Sequence, residues 1–419
     1  MTSMKAIFSL FAAILFCLVT AVAEGQIQPS FFGMGVTASS DPPKVSYGTM
    51  SHPPLAWTAV EGTGRGVYDF STLDPFVLAA PKGADNVAQI DLVMGWTPGW
   101  AVSSQSTCST QADGVVACTA PPAKMLDWAN FITAMVQHYN GRTAPHIKYY
   151  EIWNEANTTS FWTGTVPQLI AMAKVAYPIL KQDPYSQVMT PSVVWSGGVS
   201  FMTSYLSGGG YKYADGLTFH AYTSQTGKGV SLPVPLPESP ESTNAPIQTM
   251  VSAYRVVANA NGLKNKPIAT TEGGWGVNGV SDPDMQAAWI TQYEIVQAGM
   301  ATLYDMQFTT WYTWGHSESG TIEATSGEPT EAGDAYQEVY KWLDGQIPSP
   351  CTSSGNIWSC PVARNLIVWN IAETCSNGVC TTAPYTAPKG YSKYVELTGV
   401  TSNIEGAISL GVKPIMLEP

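Results

Sequence analysis

Positive charge is scarce in this sequence. Of 419 residues only 19 are Lys or Arg, against 31 Asp or Glu, which leaves a formal net charge of -12. No basic run occurs, and a nucleic-acid partner is therefore not expected, because neutralising phosphates takes clustered cations. Charge of either sign is thin, at 12% of residues, so a neutral polar partner suits the chain better. No C-x2-C pair occurs and no His stands at ligand spacing from a Cys, so neither a metal site nor a cofactor is expected. No glycine fingerprint follows an early strand, as a dinucleotide fold would need. Gly208-Gly209-Gly210 is not followed by the Lys and Ser of a phosphate loop. No G-x-S-x-G turn marks a serine nucleophile.

What the chain has in quantity is apolar and aromatic matter: 45% hydrophobic residues, with 14 Trp and 20 Tyr. A large core is easily built at this length, as one large domain with a small one or as two ordinary domains. The N-terminus carries Lys5, the 18-residue apolar run "AIFSLFAAILFCLVTAVA" and the small-x-small ending Ala21-Val22-Ala23. Those are the parts of a secretory signal, expected to end at residue 23, and the rival reading is a membrane anchor. Export predicts a secreted or periplasmic protein with no membrane attachment after cleavage, and it permits disulfides. Beyond the apolar run the six cysteines form three local pairs, and the simplest pairing is Cys108–Cys118, Cys351–Cys360 and Cys375–Cys380. Six cysteines allow about 15 connectivities, so this pairing is an expectation.

Short apolar runs alternate with amphipathic stretches. Strands are predicted at 31–36, 87–96, 147–153, 186–194, 215–222, 266–275 and 303–314, with a weaker one around 44–57. Between them, 123–139 puts Met125, Trp128, Phe131, Ile132 and Met135 on one helical stripe, and 167–182 and 284–300 are similar. Strand–helix alternation with eight strand candidates predicts a (β/α)8 TIM barrel spanning 24–345, an open doubly wound sheet being the alternative. From 346 to 419 the texture becomes turn-rich, with short strand-like runs. That stretch reads as a small β-rich, sandwich-like unit holding two of the disulfides, with no linker isolating it.

Two strand candidates run out into a glutamate: "IWNEAN" at Glu155 and "TTEGGW" at Glu272. Barrel chemistry sits at the C-terminal ends of strands. A carboxylate leaving an apolar run there is costly unless paired, hydrogen-bonded or used. Two of them suit glycosidic cleavage, one protonating the leaving oxygen while the other attacks or activates water. Either glutamate alone could instead be a structural barrel residue.

Trp-Asn-Glu and Thr-Glu-Gly-Gly-Trp, together with "GVYDFSTLD" (66–74), "LVMGWTPGWA" (92–101) and "LTFHAY" (217–222), resemble the clan A glycoside hydrolases, most of all family 39. The resemblance covers about 31–345. It implies a retaining mechanism, with Glu155 as acid/base and Glu272 as nucleophile. It implies that Asn154 binds the sugar 2-hydroxyl, that His220 and Tyr222 line the site, and that Trp311 or Trp314 forms the sugar platform. Trp275 and Trp96 are further candidate stacking positions, as are Trp100, Trp162 and Trp195. The expected partner is a poly- or oligosaccharide, and a carbohydrate-binding barrel without turnover is the alternative.

One departure stands out. Members of the clan commonly place an arginine near the end of the second strand to hold the nucleophile. "TMSHPPLAW" has none; His52 is the nearest polar residue and Arg65 lies beyond it. Asn157-Thr158-Thr159 is a glycosylation sequon beside the proposed acid, where a glycan would obstruct substrate, so it is read as unused.

Overall fold

The structure is a computed structural model, and it describes residues 25–36, 42–52, 56–82, 87–111, 114–140, 146–224, 236–239, 242, 244–276, 279–315 and 320–419. The expected signal segment lies outside the described residues, as do much of 223–245 and the side chain of His52.

Eight parallel strands form one sheet: β1 Phe32–Val36, β2 Thr49–His52, β3 Val87–Val93, β4 His146–Glu151, β5 Gln187–Met189, β6 Leu217–His220, β7 Ile268–Glu272 and β8 Met306–Trp314. Their order is β5-β4-β3-β2-β1-β8-β7-β6. A parallel bridge from Met189 to Gly216 joins the two ends, so the sheet closes into a barrel. Closure removes both sheet edges. The weak strand expectation around 44–57 resolves into β2 followed by a helix from Ala56. The predicted strands 87–96, 147–153 and 186–194 end earlier, at Val93, Glu151 and Met189. The chain there turns away along the barrel mouth, and its hydrophobicity continues because the mouth is itself packed.

The pleat sorts the residues. Alternate side chains face inward, and Tyr149, Met189, Ala269 and Phe308 fill one interior layer. The others face the helices: α1 Ala56–Glu61, α2 Asp74–Ala79, α3 Met125–Tyr139, α4 Val166–Leu180, α5 Trp195–Ser207, α6 Ile247–Ala260, α7 Pro283–Tyr304 and α8 Glu331–Leu343. Helix α3 buries Trp128, Phe131, Ile132 and Met135, the stripe read from the sequence. Thr165 and Gln168 make a reciprocal capping box at the start of α4.

The C-terminal part forms a six-stranded antiparallel sheet from Thr352–Ser354, Ile357–Val362, Asn365–Asn370, Ile415–Glu418, Lys393–Val395 and Thr401–Asn403. It packs on the outside of α7, where every residue from Ala287 to Ala301 is buried. Gln292 Nε2 donates to the Val412 carbonyl at 2.9 Å across this contact, and Lys413 pairs with Asp284 and Glu331. Disulfides join Cys108 to Cys118, Cys351 to Cys360 and Cys375 to Cys380, the pairing expected from the sequence. Among the described residues no helix is long and apolar enough to cross a membrane.

Candidate active site

The mouth of the barrel gathers the chemistry-bearing residues. After β4 ends at Glu151, the chain continues through Ile152 and Trp153, both buried, to Asn154 and Glu155. Glu155 sits at φ 37°, a left-handed backbone that costs a non-glycine residue about 1–3 kcal/mol unless its surroundings fix it. The surroundings do so. Its N–H points at Ser192 Oγ (3.3 Å), Ala156 donates to the Ser192 carbonyl (3.0 Å), and Ser192 donates back to the Trp153 carbonyl (2.9 Å). Asn157 clamps the same turn from the other side. Its Nδ2 donates to the carbonyls of Val194 (3.1 Å) and Ser196 (2.8 Å), and its Oδ1 accepts from the Val194 N–H (3.0 Å). The sequon amide is therefore fully engaged in the fold.

Glu272 closes β7, and the two glycines after it are fixed by close packing. A Cβ on Gly273 would stand 2.1 Å from the Tyr293 hydroxyl oxygen, so only glycine lets the chain leave the strand there. One oxygen each of Glu155 and Glu272 and a ring nitrogen of His220 all lie within 4.8 Å of one another. His220 Nδ1 is 2.9 Å from Glu155 Oε1 and 3.5 Å from Glu272 Oε2. The Tyr222 hydroxyl donates to Glu272 Oε1 at 2.5 Å. The side chains of Glu155 and Glu272 keep 13% and 22% of their surface open, whereas that of His220 keeps 1%. The carboxylates thus face the cleft and the imidazole stands behind them.

The charge states follow from these contacts. Burial pushes the Glu272 carboxyl up; the His220 charge opposes that, Glu155 adds to it, and the Tyr222 hydroxyl opposes it, for a net rise. Burial alone would lower His220. The Glu272 carboxylate, the hydrogen bond and charge of Glu155 and the charge of Glu151 outweigh it, carrying the imidazole up to about 9. Tyr222 is raised well above its ordinary value, by burial first and then by Glu272, and stays a donor.

Two cavities meet at Glu155. One of about 180 Å³ is lined by Gly35, Ser51, Asn154, Phe161, Glu272 and Tyr312, among others. The second, about 270 Å³, lies toward Trp195, Ser196, Tyr222, Ser224 and Asn244. Asn154 lines the first cavity. Trp195 borders the second, and Trp96 packs edge-on against Phe161 at 5.8 Å beside the first.

The other tryptophans are elsewhere. Trp311 and Trp314 are 0% and 1% exposed and line neither cavity, so the expected sugar platform at these positions is corrected. Trp311 packs against Trp275, Trp289 and Tyr293 and donates to the Gly320 carbonyl at 3.1 Å. For Trp311 the cause is the pleat: its neighbour Tyr312 is the β8 residue that faces the cleft, which turns Trp311 toward the helices. Trp275 is likewise core, 3% exposed against Trp289 and Trp311. Trp162 packs on Trp153, and Trp100 donates to the Glu61 carbonyl beneath Arg65. Arg65 is spent on Asp127, with Nε to Oδ1 and a second nitrogen to Oδ2, both 2.9 Å. What orients Glu272 in place of a strand-2 arginine is the Tyr222 hydroxyl with His220.

Sequence reasoning missed Tyr312, Phe161 and Ser51 in the cleft, and Asp91 and Glu151 beneath it. "WYTW" holds Tyr312 in plain view, but alternation alone does not say which of its residues face inward. The set Glu155, His220 and Glu272 also has the donors a divalent cation would take. Asp284, Cys375 and Cys380 cluster as well, but their sulfurs are bonded to each other.

Comparison with solved structures places this geometry. A family 39 glycoside hydrolase from Bacteroides cellulosilyticus superposes with a TM-score of 0.65 at 17% identity, over 93% of this chain and 81% of that one. This chain shares the fold of that glycoside hydrolase. A family 39 enzyme from Xanthomonas axonopodis pv. citri shares it with a TM-score of 0.62 at 15% identity, over 96% of both chains. A monomeric beta-xylosidase from Caulobacter crescentus gives 0.61 at 14% identity, over 94% of this chain and 97% of its own. No protein-family model matches the chain. Among curated proteins, a heme A synthase from Hyphomonas neptunium is 35% identical over 104 residues. That stretch is 22% of this chain and 28% of the synthase, so the chain spans under a third of that relative. In this shared fold, Glu155 follows the fourth strand and Glu272 ends the seventh, both at the mouth.

Proposed function

We propose that the protein is a secreted glycoside hydrolase that cleaves a poly- or oligosaccharide with retention of configuration, by double displacement. The observation that carries this reading is the pair Glu155 and Glu272, from opposite sides of the barrel mouth, with oxygens within 4.8 Å. Retention calls for carboxyl groups about 5–5.5 Å apart, while inversion needs about 6.5–9.5 Å to admit a water.

Each residue has a role that its surroundings support. Glu155 gives its proton to the glycosidic oxygen as the bond from that oxygen to the anomeric carbon breaks. Glu272, steered by the Tyr222 O–H, bonds to the anomeric carbon through a carboxylate oxygen, and the alcohol leaves. The ester removes the negative charge of Glu272, so Glu155 now takes a proton from water, the water oxygen bonds to the anomeric carbon, and the ester opens. His220 supports Glu155 from behind through the 2.9 Å contact of its Nδ1 with Glu155 Oε1. Asn154 holds the sugar 2-hydroxyl in the smaller cavity. The leaving group occupies the larger one, against Trp195. The N-terminal apolar run and the three disulfides favour an extracytoplasmic location.

The test is a panel of aryl glycosides and plant and bacterial polysaccharides with wild type, Glu155→Gln and Glu272→Gly. Turnover by wild type, loss of about 10³-fold or more in each variant, and azide restoring Glu272→Gly as an inverted glycosyl azide are expected. Turnover surviving in Glu272→Gly without azide would rule out the double displacement. Saccharide binding with no turnover on any glycan would point to a binding barrel instead.

A further inference from the structure

Directly under the two mouth carboxylates lies a second acidic pair that the reaction scheme does not use. Asp91 on β3 and Glu151 on β4 are both 0% exposed. Val93 lines the cleft, so Asp91, two residues earlier on the same pleat, faces the barrel interior, one layer below it. Glu151 shares its face of β4 with Tyr149 of the inner layer. Apart from Glu151, the Asp91 carboxyl meets no N–H or O–H donor among the described residues, while Glu151 also meets the Thr271 and Ser192 hydroxyls. The two carboxyls interact with each other, and two acceptors facing in a dry interior hold together only through a proton between them. Burial is the first cause that raises both, and for Asp91 the neighbouring Glu151 is the next.

Among the described residues, the surroundings of the pair contain one cation. Glu151 faces His220 on β6, Thr271 on β7 and Ser192 beyond β5. Asp91 faces Glu151 and Tyr149 on β4. His220 in turn meets Glu155, Glu272 and Glu151, with the Tyr222 ring at 6.5 Å. We propose that Asp91 and Glu151 share a single proton and that the charge left on the pair holds His220 as an imidazolium between Glu155 and Glu272. They are positioning residues, acting on the reaction only through His220. Glu151 is the member nearest the imidazole; Asp91 fixes the proton on the far side.

The experiment follows the imidazole itself, so it does not depend on turnover; only its kinetic arm rests on the glycosidase reading. The protein has five histidines, and 15N-histidine labelling with a His220→Gln control assigns the resonance. In Glu151→Gln the charge of the pair moves to Asp91, on the far side from His220, and the His220 titration midpoint should fall by about one pH unit or more. In Asp91→Asn the amide donates to Glu151, which then stays ionised, and the midpoint should hold or rise. The alkaline limb of kcat/KM on an active aryl glycoside should move with the midpoint in both. An unmoved midpoint in Glu151→Gln, or an equal fall in the two variants, overturns the proposal. Should Glu151→Gln not fold, a fall in Asp91→Asn alone overturns it. A dead wild-type enzyme whose His220 midpoint shifts as described would sink the glycosidase reading and leave the proton-sharing pair standing.

Discussion

Replacing Tyr222 by Phe removes one oxygen from the site and nothing else. That oxygen donates to Glu272 Oε1 at 2.5 Å, and His220 Nδ1 stands 3.5 Å from Glu272 Oε2. A hydrogen bond to a charged group contributes about 1.5–3 kcal/mol. It serves the carboxylate that must point at the anomeric carbon, so its loss falls mainly on the transition state. At about 1.4 kcal/mol per tenfold, kcat/KM should drop roughly 10- to 150-fold. The pH dependence gives a second reading. The Tyr222 hydrogen bond lowers the Glu272 carboxyl against the upward push of burial. Without the donor Glu272 must ionise at higher pH, so the acidic limb of kcat/KM should move to the right. Steady-state kinetics from pH 4 to 9 on one aryl glycoside, with thermal melts to confirm the fold, is the assay. A kcat/KM within twofold of wild type, or a loss with an unmoved acidic limb, would refute the assignment of Tyr222 as the group that orients Glu272.

Two other outcomes follow from the packing. Trp311→Phe should lower stability by about 1–3 kcal/mol in urea unfolding while KM stays close to wild type, because the indole fills the helix layer. Tyr312→Ala should raise KM instead, and the reverse pattern would put the sugar platform back on tryptophan. Glu294 on α7 is fully buried with neither carboxyl oxygen hydrogen-bonded, and burial raises it well above its ordinary value. The unfolded chain releases this proton near the ordinary carboxylate value while the folded chain keeps it, so the stability of the fold declines as pH climbs above that value. Glu294→Gln should remove part of the fall in thermal midpoint between pH 5 and 8, with little change at pH 4; identical pH curves would count against a buried neutral acid.

The carboxylate pair was legible because each glutamate ends an apolar run, a break in pattern that physics makes expensive. The barrel was legible from alternation, and the three disulfides from cysteines spaced 10, 9 and 5 residues apart. What stayed hidden depends on pleat phase. Trp311 and Tyr312 are neighbours, and their opposite fates are set by which face of β8 the register turns inward. Asp91 was hidden for a related reason: within "VAQIDLVM" it reads as the polar interruption of a half-exposed strand, whereas the closed barrel buries both faces. The job of Tyr222 depended on a contact between β7 and the residue two beyond β6, a pairing that only the closed sheet creates.

Helix α7 has no wet side. The barrel covers one flank and the antiparallel sheet the other, along the whole stretch from Ala287 to Ala301. A fragment that stops at residue 345 would lay bare one flank of this helix, with Gln292 losing its acceptor and Lys413 no longer neutralising Asp284. The tail is thus the outer wall of the barrel, and engineers seeking a minimal version should resurface α7 before they shorten the chain.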